Sequence, residues 1–309
     1  MTEYSVVVPV YNSSESLEEL FQRIGQTMMD LKKSFEVIFV DDDSSDASWS
    51  KLETIQKANP DKVTVIRLAR NFGQHNATIC GIAQASGTYI ITLDDDLQNP
   101  PEEIGKLIST MENSDADLVY GIYGKKHHSV VRNLGSSALK ASSRRIYRTK
   151  GNGSSFRLMK SALGKGLLNH QINFIYIDEL FNWYTNHIEF VMIDHQHRPY
   201  QKSTYTSRLL FSMFSNLVIY YTALPLKIMV YGGFISSFLS LVLGLLFIYH
   251  KLVHDVPLGF TALIVAISFS TSIILLSLGI IGEYLSRIYF VQNRKPPYSI
   301  KTLVNHEVL

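Results

Sequence analysis

The sequence holds a single cysteine, Cys80, among its 309 residues. That excludes an internal disulfide and fits a reducing compartment. It also lacks a marked charge imbalance, since 29 basic and 27 acidic residues leave a net charge of +2. Such a balance gives no reason to expect a nucleic-acid partner. The opening run, Met-Thr-Glu-Tyr-Ser-Val-Val-Val-Pro-Val-Tyr, has neither the basic start nor the apolar stretch of a signal peptide. The leading domain is therefore expected to stay in the cytosol. No internal repeat and no low-complexity tract is found. Charge runs out altogether in residues 228–249 and 256–282. Each stretch is long enough to cross a bilayer. Lys227 precedes the first, and Arg287, Arg294, Lys295 and Lys301 follow the second, while the connector between them carries one Lys balanced by Asp255. The positive-inside rule then puts both ends in the cytoplasm and the connector outside. Tyr231, Tyr249, Tyr284 and Tyr289 sit near the ends, as interface aromatics do.

The part before residue 205 has the composition of a water-soluble domain. β-Branched runs at 4–10, 35–40, 63–68 and 89–93 predict strands, and helical spacing predicts helices over 13–31, 48–58, 75–86 and 101–113. Strict alternation of the two argues for an α/β class with a mostly parallel, doubly wound sheet. Ligands of such sheets sit at the carboxyl ends of the strands. The acidic clusters 41–43 and 94–96 fall there. Residues 125–150 differ: Lys125, Lys126, Arg132, Lys140, Arg144, Arg145, Arg148 and Lys150 are interleaved with apolar residues, and no acid occurs. This reads as a basic amphipathic helix suited to an anionic membrane surface or a phosphate ligand, or as a solvated helix face. A second amphipathic segment at 209–224 ends before Pro225.

The densest chemical signal is Thr92-Leu93-Asp94-Asp95-Asp96-Leu97-Gln98-Asn99-Pro100-Pro101-Glu102. A strand delivers carboxylates into a loop where no sheet pairing uses them. In an extended segment, side chains two apart face the same way, so Asp94 and Asp96 could share a divalent ion. Oxygen ligands with open water positions suit Mg2+ or Mn2+ bridged to substrate phosphates. A polar turn with capping aspartates is the plainer alternative. Two further loops, Pro9-Val10-Tyr11-Asn12-Ser13-Ser14-Glu15 and Val40-Asp41-Asp42-Asp43-Ser44-Ser45-Asp46, follow strands and carry groups able to stack on a base and bind a ribose. Each alone is also a capped strand-to-helix turn.

Together these motifs resemble the family 2 glycosyltransferases of GT-A (Rossmann-like) fold. Within them the chain is similar to the polyprenyl-phosphate glycosyltransferases, a group that includes dolichol-phosphate mannose synthase and the bacterial undecaprenyl-phosphate glucosyl and formamido-arabinosyl transferases. Arg70-Asn71-Phe72-Gly73-Gln74-His75-Asn76-Ala77, Phe156-Arg157-Leu158 and Gly282-Glu283-Tyr284-Leu285-Ser286-Arg287-Ile288-Tyr289 carry that narrower match. The resemblance implies an inverting transfer from a nucleotide-diphosphate sugar, a UDP-sugar by preference, to polyprenyl phosphate for a cell-envelope glycan such as lipopolysaccharide or O-antigen. It implies that Pro9, Tyr11, Asn12, Glu15, Asp41, Asp42 and Arg70 hold the nucleotide. Asp94, Asp96 and Gln98 would hold Mg2+ or Mn2+, and Asp94, Asp95, Asp96 and Arg157 would be catalytic. Lys125, Arg132, Ser136, Arg157 and Arg198 would bind the acceptor phosphate. It further implies a homo-oligomer, a tetramer in many members, in the cytoplasmic (inner) membrane. The expected layout is a catalytic domain at 1–205, an interface helix at 206–226, a multi-pass hairpin at 227–290 and a cytoplasmic tail at 291–309.

Departures from the family pattern bear on the sugar and acceptor side, among them Ser203-Thr204-Tyr205 where the family has Ser-Lys-Tyr. The middle of the metal motif, usually Ala, is Asp95. The Gly-Asp pair common before Phe-Arg-Leu is Ser154-Ser155, which removes a candidate base. Tyr123-Gly124 replaces a family Arg. A phosphate acceptor is mostly a dianion at neutral pH, its second pKa being about 6, so it needs no strong base. Two rival readings are a transferase acting on a glycolipid or polysaccharide and an inactive membrane scaffold. The Gln-x-x-Arg-Trp motif of processive synthases is absent.

Overall fold

The computed structural model describes residues 2–123, 154–169, 177–194, 224–254, 259–292 and 296–305. These divide into two compact units, one of Met1–Ser203 with Pro296–Leu309 and one of Thr204–Lys295.

In the first unit the predicted alternation forms β1 (Tyr4–Val10), α1 (Leu17–Asp30), β2 (Phe35–Asp41), α2 (Ser48–Ala58), β3 (Val63–Leu68), α3 (Gln74–Gln84), β4 (Tyr89–Thr92) and α4 (Ile104–Glu112). The chain continues through β5 (Leu118–Tyr123), β6 (Arg157–Lys160), α5 (Ser161–Gly166), α6 (Ile177–Tyr184) and β7 (Ile188–Ile193), and β8 (Ile300–Val304) comes last. Among the described residues the sheet order is β7-β5-β6-β4-β1-β2-β3-β8. The four central strands β4-β1-β2-β3 are parallel, and β5 runs parallel to β7. β6 is antiparallel to β4 and β5, and β8 is antiparallel to β3. The sheet is thus mixed rather than mostly parallel outside its centre. One consequence matters for the site: the carboxyl ends of β1 to β5 and the amino end of β6 share one edge.

Both faces of the central strands are covered, which is why they read as continuous apolar runs rather than alternating ones. On one face Leu17, Leu20, Ile24 and Met28 of α1 pack on Val6, Val8 and Val10, all essentially inaccessible to water. Each such side chain contributes about 1.5–3 kcal/mol by leaving water. On the other, α3 lies so close to β1 that a Cβ built on Gly81 would stand 2.3 Å from Val7 Cγ1.

β8 departs from the expected layout. In place of a plain tail over 291–309, Ile300–Val304 pair with β3, and the Ala69 N–H donates to Ser299 O at 2.8 Å.

The second unit contains α7 (Leu224–His254) and α8 (Phe260–Gln292). α7 contains the first uncharged stretch and α8 residues 260–282 of the second, and the two line a cavity of about 430 Å3 between Gly232, Ile235, Ser236, Ala266, Phe269 and Ser270. Among the described residues one window, Phe269–Ser286 of α8, is long and apolar enough to cross a membrane, with a mean hydropathy of 1.5 and none of it buried. The expected basic helix at 125–150 lies outside the described residues, and so does the amphipathic segment up to residue 223.

Candidate active site

Three loops leave the carboxyl edge of the sheet at β1, β2 and β4, and each contains one non-glycine residue with positive φ: Asn12 (52°), Asp43 (59°) and Leu97 (58°). Backbone in this region costs a side-chain-bearing residue about 1–3 kcal/mol and persists where surrounding contacts impose it. Those contacts are visible here. The Asn12 N–H donates to Ser44 Oγ at 2.9 Å, and Asn12 Oδ1 accepts from the Ser45 N–H at 2.8 Å. The Ser13 N–H reaches Ser48 Oγ at 2.9 Å and the Ser14 N–H reaches Asp46 Oδ2 at 3.1 Å. The first two loops are therefore laced together along their length. The third is tied to the first through Asp95: the Tyr11 N–H donates to Asp95 Oδ2 at 3.1 Å, and Ser16 Oγ donates to the Asp95 carbonyl at 2.6 Å.

The Arg70 loop joins them. Asp42 accepts from the N–H groups of Phe72 (2.7 Å) and Gly73 (2.8 Å), one on each carboxylate oxygen. Gly73 has φ of 90°, a conformation glycine adopts without steric cost, and this turns its amide toward Asp42. α3 starts at the next residue, and Gln74 Nε2 donates to Asp94 Oδ1 at 2.6 Å. From the other side Ser155 Oγ donates to Asp94 Oδ2 at 2.5 Å. The Gln98 N–H donates to Asp96 Oδ1 at 3.0 Å.

The acids do not stand in an extended segment, as the spacing argument assumed. β4 ends at Thr92 and residues 95–96 form a turn. Asp95 accordingly does not alternate with its neighbours to an opposite sheet face; it fastens Tyr11. Asp94 and Asp96 both act on the Tyr123 phenol, whose pKa is raised by burial first and by these two charges next. Among the described residues no three Asp, Glu, His or Cys side chains converge as a metal cage. Two hard carboxylates at an open loop instead fit the common Mg2+ or Mn2+ arrangement, in which substrate phosphates complete the shell.

Of the expected nucleotide residues, Tyr11, Glu15 and Arg70 are exposed, and Arg70 stacks on Phe72 at 4.7 Å. Pro9 is buried within β1. Asn12 and Asp42 both accept from loop backbone, as described. Asp41 is fully buried beside Arg67, with 3.3 Å between Arg67 Nε and Asp41 Oδ2, and burial raises its carboxyl pKa. In the same loop Asp46 is exposed and accepts from the Ser14 and Ser48 N–H groups, and Asp43 is partly exposed, its side chain 38% accessible and 3.8 Å from Arg67. The αL-tolerant Asp at the tip of an acidic run was the available signal for it.

Arg157 stands elsewhere than expected. Its side chain is 3% exposed, Nη1 donates to Asp178 Oδ1 at 2.6 Å, and Nε donates to Thr92 Oγ1 at 2.9 Å. Tyr120 OH adds a bond to the same Asp178 oxygen at 2.9 Å. A guanidinium committed in this way is a buried positioning group, not an open phosphate ligand. Lys125, Arg132, Ser136 and Arg198 lie outside the described residues.

Burial lifts the Asp95 carboxyl to about 7, against hydrogen bonds from Ser13 and Tyr11 and with the help of the Asp94 and Asp96 charges. A raised folded-state pKa means stability that is complete below the unfolded value and lost as pH rises through the folded one. Without divalent cation, Asp95→Asn keeps an acceptor for Tyr11 but has no charge to bury. Its melting temperature should therefore exceed the parent's at about pH 8 and match it at about pH 4. An equal offset at both pH values would contradict this.

Known proteins resemble this chain in sequence and in fold. The profile of glycosyl transferase family 2 matches residues 5–184. The undecaprenyl-phosphate 4-deoxy-4-formamido-L-arabinose transferase of Klebsiella pneumoniae (strain 342) is 31% identical over 97% of this chain and 93% of its own length. The protein of that name from Proteus mirabilis (strain HI4320) is 31% identical over 98% of this chain and 94% of its own. Among solved structures, UDP-bound glucosyl-3-phosphoglycerate synthase from Mycobacterium tuberculosis superposes with a TM-score of 0.50 at 18% identity, covering 71% of this chain and 78% of that one, a likeness of fold. With an acidic loop at the carboxyl edge of such a sheet and the family profile running through it, the chain belongs to glycosyl transferase family 2 and is a glycosyltransferase.

Proposed function

We propose that this protein moves a sugar from a UDP-sugar to a polyprenyl phosphate with inversion at the anomeric carbon. The observation that carries the reading is the near-complete length over which the chain aligns with relatives named as undecaprenyl-phosphate transferases, apolar C-terminal third included.

The donor lies at the carboxyl edge of the sheet. Tyr11 and the Arg70–Phe72 pair frame the nucleoside, and the partly exposed Asp43 serves its hydroxyls. Asp94 and Asp96, with Gln98, would hold Mg2+ or Mn2+. When bound, the cation neutralises charge on the leaving diphosphate. A phosphate oxygen of the acceptor forms the new bond to the anomeric carbon as the bond to the UDP oxygen breaks. The acceptor dianion brings its own nucleophile, so no proton has to be removed and the Ser154-Ser155 pair is no obstacle. Placement and fixed charge carry the rate. Lys125, Arg132, Ser136 and Arg198 receive the acceptor phosphate. α7 and α8 form a two-span hairpin in the cytoplasmic membrane with the catalytic unit on the cytoplasmic side, and the protein acts as a homo-oligomer. The lipid-linked sugar serves a cell-envelope glycan.

The test is acceptor substitution. With a UDP-sugar and Mg2+ or Mn2+, UDP release should require polyprenyl phosphate and vanish with polyprenol. Release sustained by a glycan acceptor instead would overturn the assignment.

A further inference from the structure

A line of hydrogen bonds, continued through the covalent frame of Ser155, runs from the interior of the sheet to Asp94. Asp178 accepts from Arg157 Nη1 (2.6 Å), Arg157 Nε donates to Thr92 Oγ1 (2.9 Å), Thr92 Oγ1 donates to the Ser155 carbonyl (2.5 Å), and Ser155 Oγ donates to Asp94 Oδ2 (2.5 Å). The other carboxylate oxygen, Asp94 Oδ1, accepts from Gln74 Nε2 at 2.6 Å. Gln74 is itself anchored, because it opens α3 directly after the two backbone amides that Asp42 binds.

A carboxylate has about four acceptor sites. One such donor on each oxygen fixes the plane of the group. Both of these donors are neutral and bring no positive charge against the carboxylate. A lysine or arginine in either place would pair with that charge and compete with the ion. The cationic member of the line, Arg157, is kept two residues away and reaches Asp94 through the Thr92 hydroxyl and Ser155. The arrangement therefore separates orientation from neutralisation, as outer-shell groups do around metal ligands.

We propose that Gln74 and Ser155 are positioning residues for Asp94, and that Arg157 acts on the same carboxylate through Thr92 and Ser155. The inference rests on the reading of Asp94 as a cation ligand.

The test is Mn2+ binding to the full-length protein in detergent, read by the electron paramagnetic resonance signal of free Mn2+ with saturating UDP and no acceptor. Ser155→Ala and Gln74→Ala should each weaken Mn2+ binding about 10-fold or more, the usual effect of removing an outer-shell partner. Their melting temperatures should stay near the parent's. Ser155→Thr, which keeps the hydroxyl, should restore binding. Parent-like binding in both alanine variants would overturn the positioning roles while leaving the cation reading in place. A weakening that Ser155→Thr fails to rescue would overturn the role of the hydroxyl. A parent protein with no UDP-dependent Mn2+ binding would remove the cation reading and this inference together.

Discussion

Replacing Asp94 and Asp96 together with asparagine should lower turnover by about 10^3-fold or more, the order expected when the main electrostatic support of a leaving group is lost. The substitutions keep shape and most hydrogen-bonding capacity. Gln74 Nε2 can still donate to the carbonyl oxygen of an asparagine at position 94 while Ser155 Oγ accepts from its NH2 group, and the Gln98 N–H can still donate at position 96. What disappears is two negative charges at the carboxyl edge of the sheet. The double variant should therefore melt near the parent's temperature and fail to recover with excess Mn2+. UDP release at saturating lipid acceptor measures it. Activity within about tenfold of the parent would dismiss these residues as the catalytic acids.

The second large effect concerns stability. Arg157 and Asp178 form a pair whose side chains are 3% and 15% exposed, with Tyr120 OH on the same carboxylate. Arg157→Ala leaves that carboxylate buried without its cation, which costs about 3–5 kcal/mol. For a domain of this size the melting temperature should fall by roughly 10 °C. Arg157→Leu combined with Asp178→Leu removes both charges and should recover most of the loss, because replacing a buried pair by apolar side chains is often nearly neutral. Equal destabilisation by the single and the paired replacement would show that the ion pair is not what holds this part of the sheet. The same comparison separates stability from catalysis. The paired replacement also removes the Nε donor to Thr92, so it should fold and still bind Mn2+ poorly.

Much of this architecture was legible in the sequence because its signals are local. Each β-branched run ends in a polar turn, and the turns at 11–15, 41–46 and 94–98 lie at the carboxyl edge where an α/β sheet gathers its ligands. What stayed hidden depends on partners distant in sequence. Phe156-Arg157-Leu158 looks like a strand presenting an arginine. But β6 lies between β4 and β5 with both faces covered, and there the arginine has to find a buried acid. That acid comes from α6, about twenty positions on, with no local pattern to announce it. Asp41 and Asp42 suit nucleotide ligands by type and place. In fact the strand end draws them inward, to Arg67 and to the Phe72–Gly73 amides, and exposes Asp43. Ile-Lys-Thr-Leu-Val at 300–304 is too short to signal a strand by itself, and it becomes one because β3 offers an unpaired edge. The middle acid of the 94–96 cluster could not be sorted from its neighbours until the turn after Thr92 was known.

The most direct measurement of the central claim is a mass spectrum of the lipid extract. Purified full-length protein in detergent is incubated with undecaprenyl phosphate, Mg2+ or Mn2+ and a panel of nucleotide sugars. The account predicts one new lipid mass, undecaprenyl phosphate plus a single sugar residue, formed from a UDP-sugar and absent from the Asp94→Asn, Asp96→Asn protein. A sugar appearing on any acceptor other than the lipid phosphate, or an unchanged product in that double variant, would contradict it.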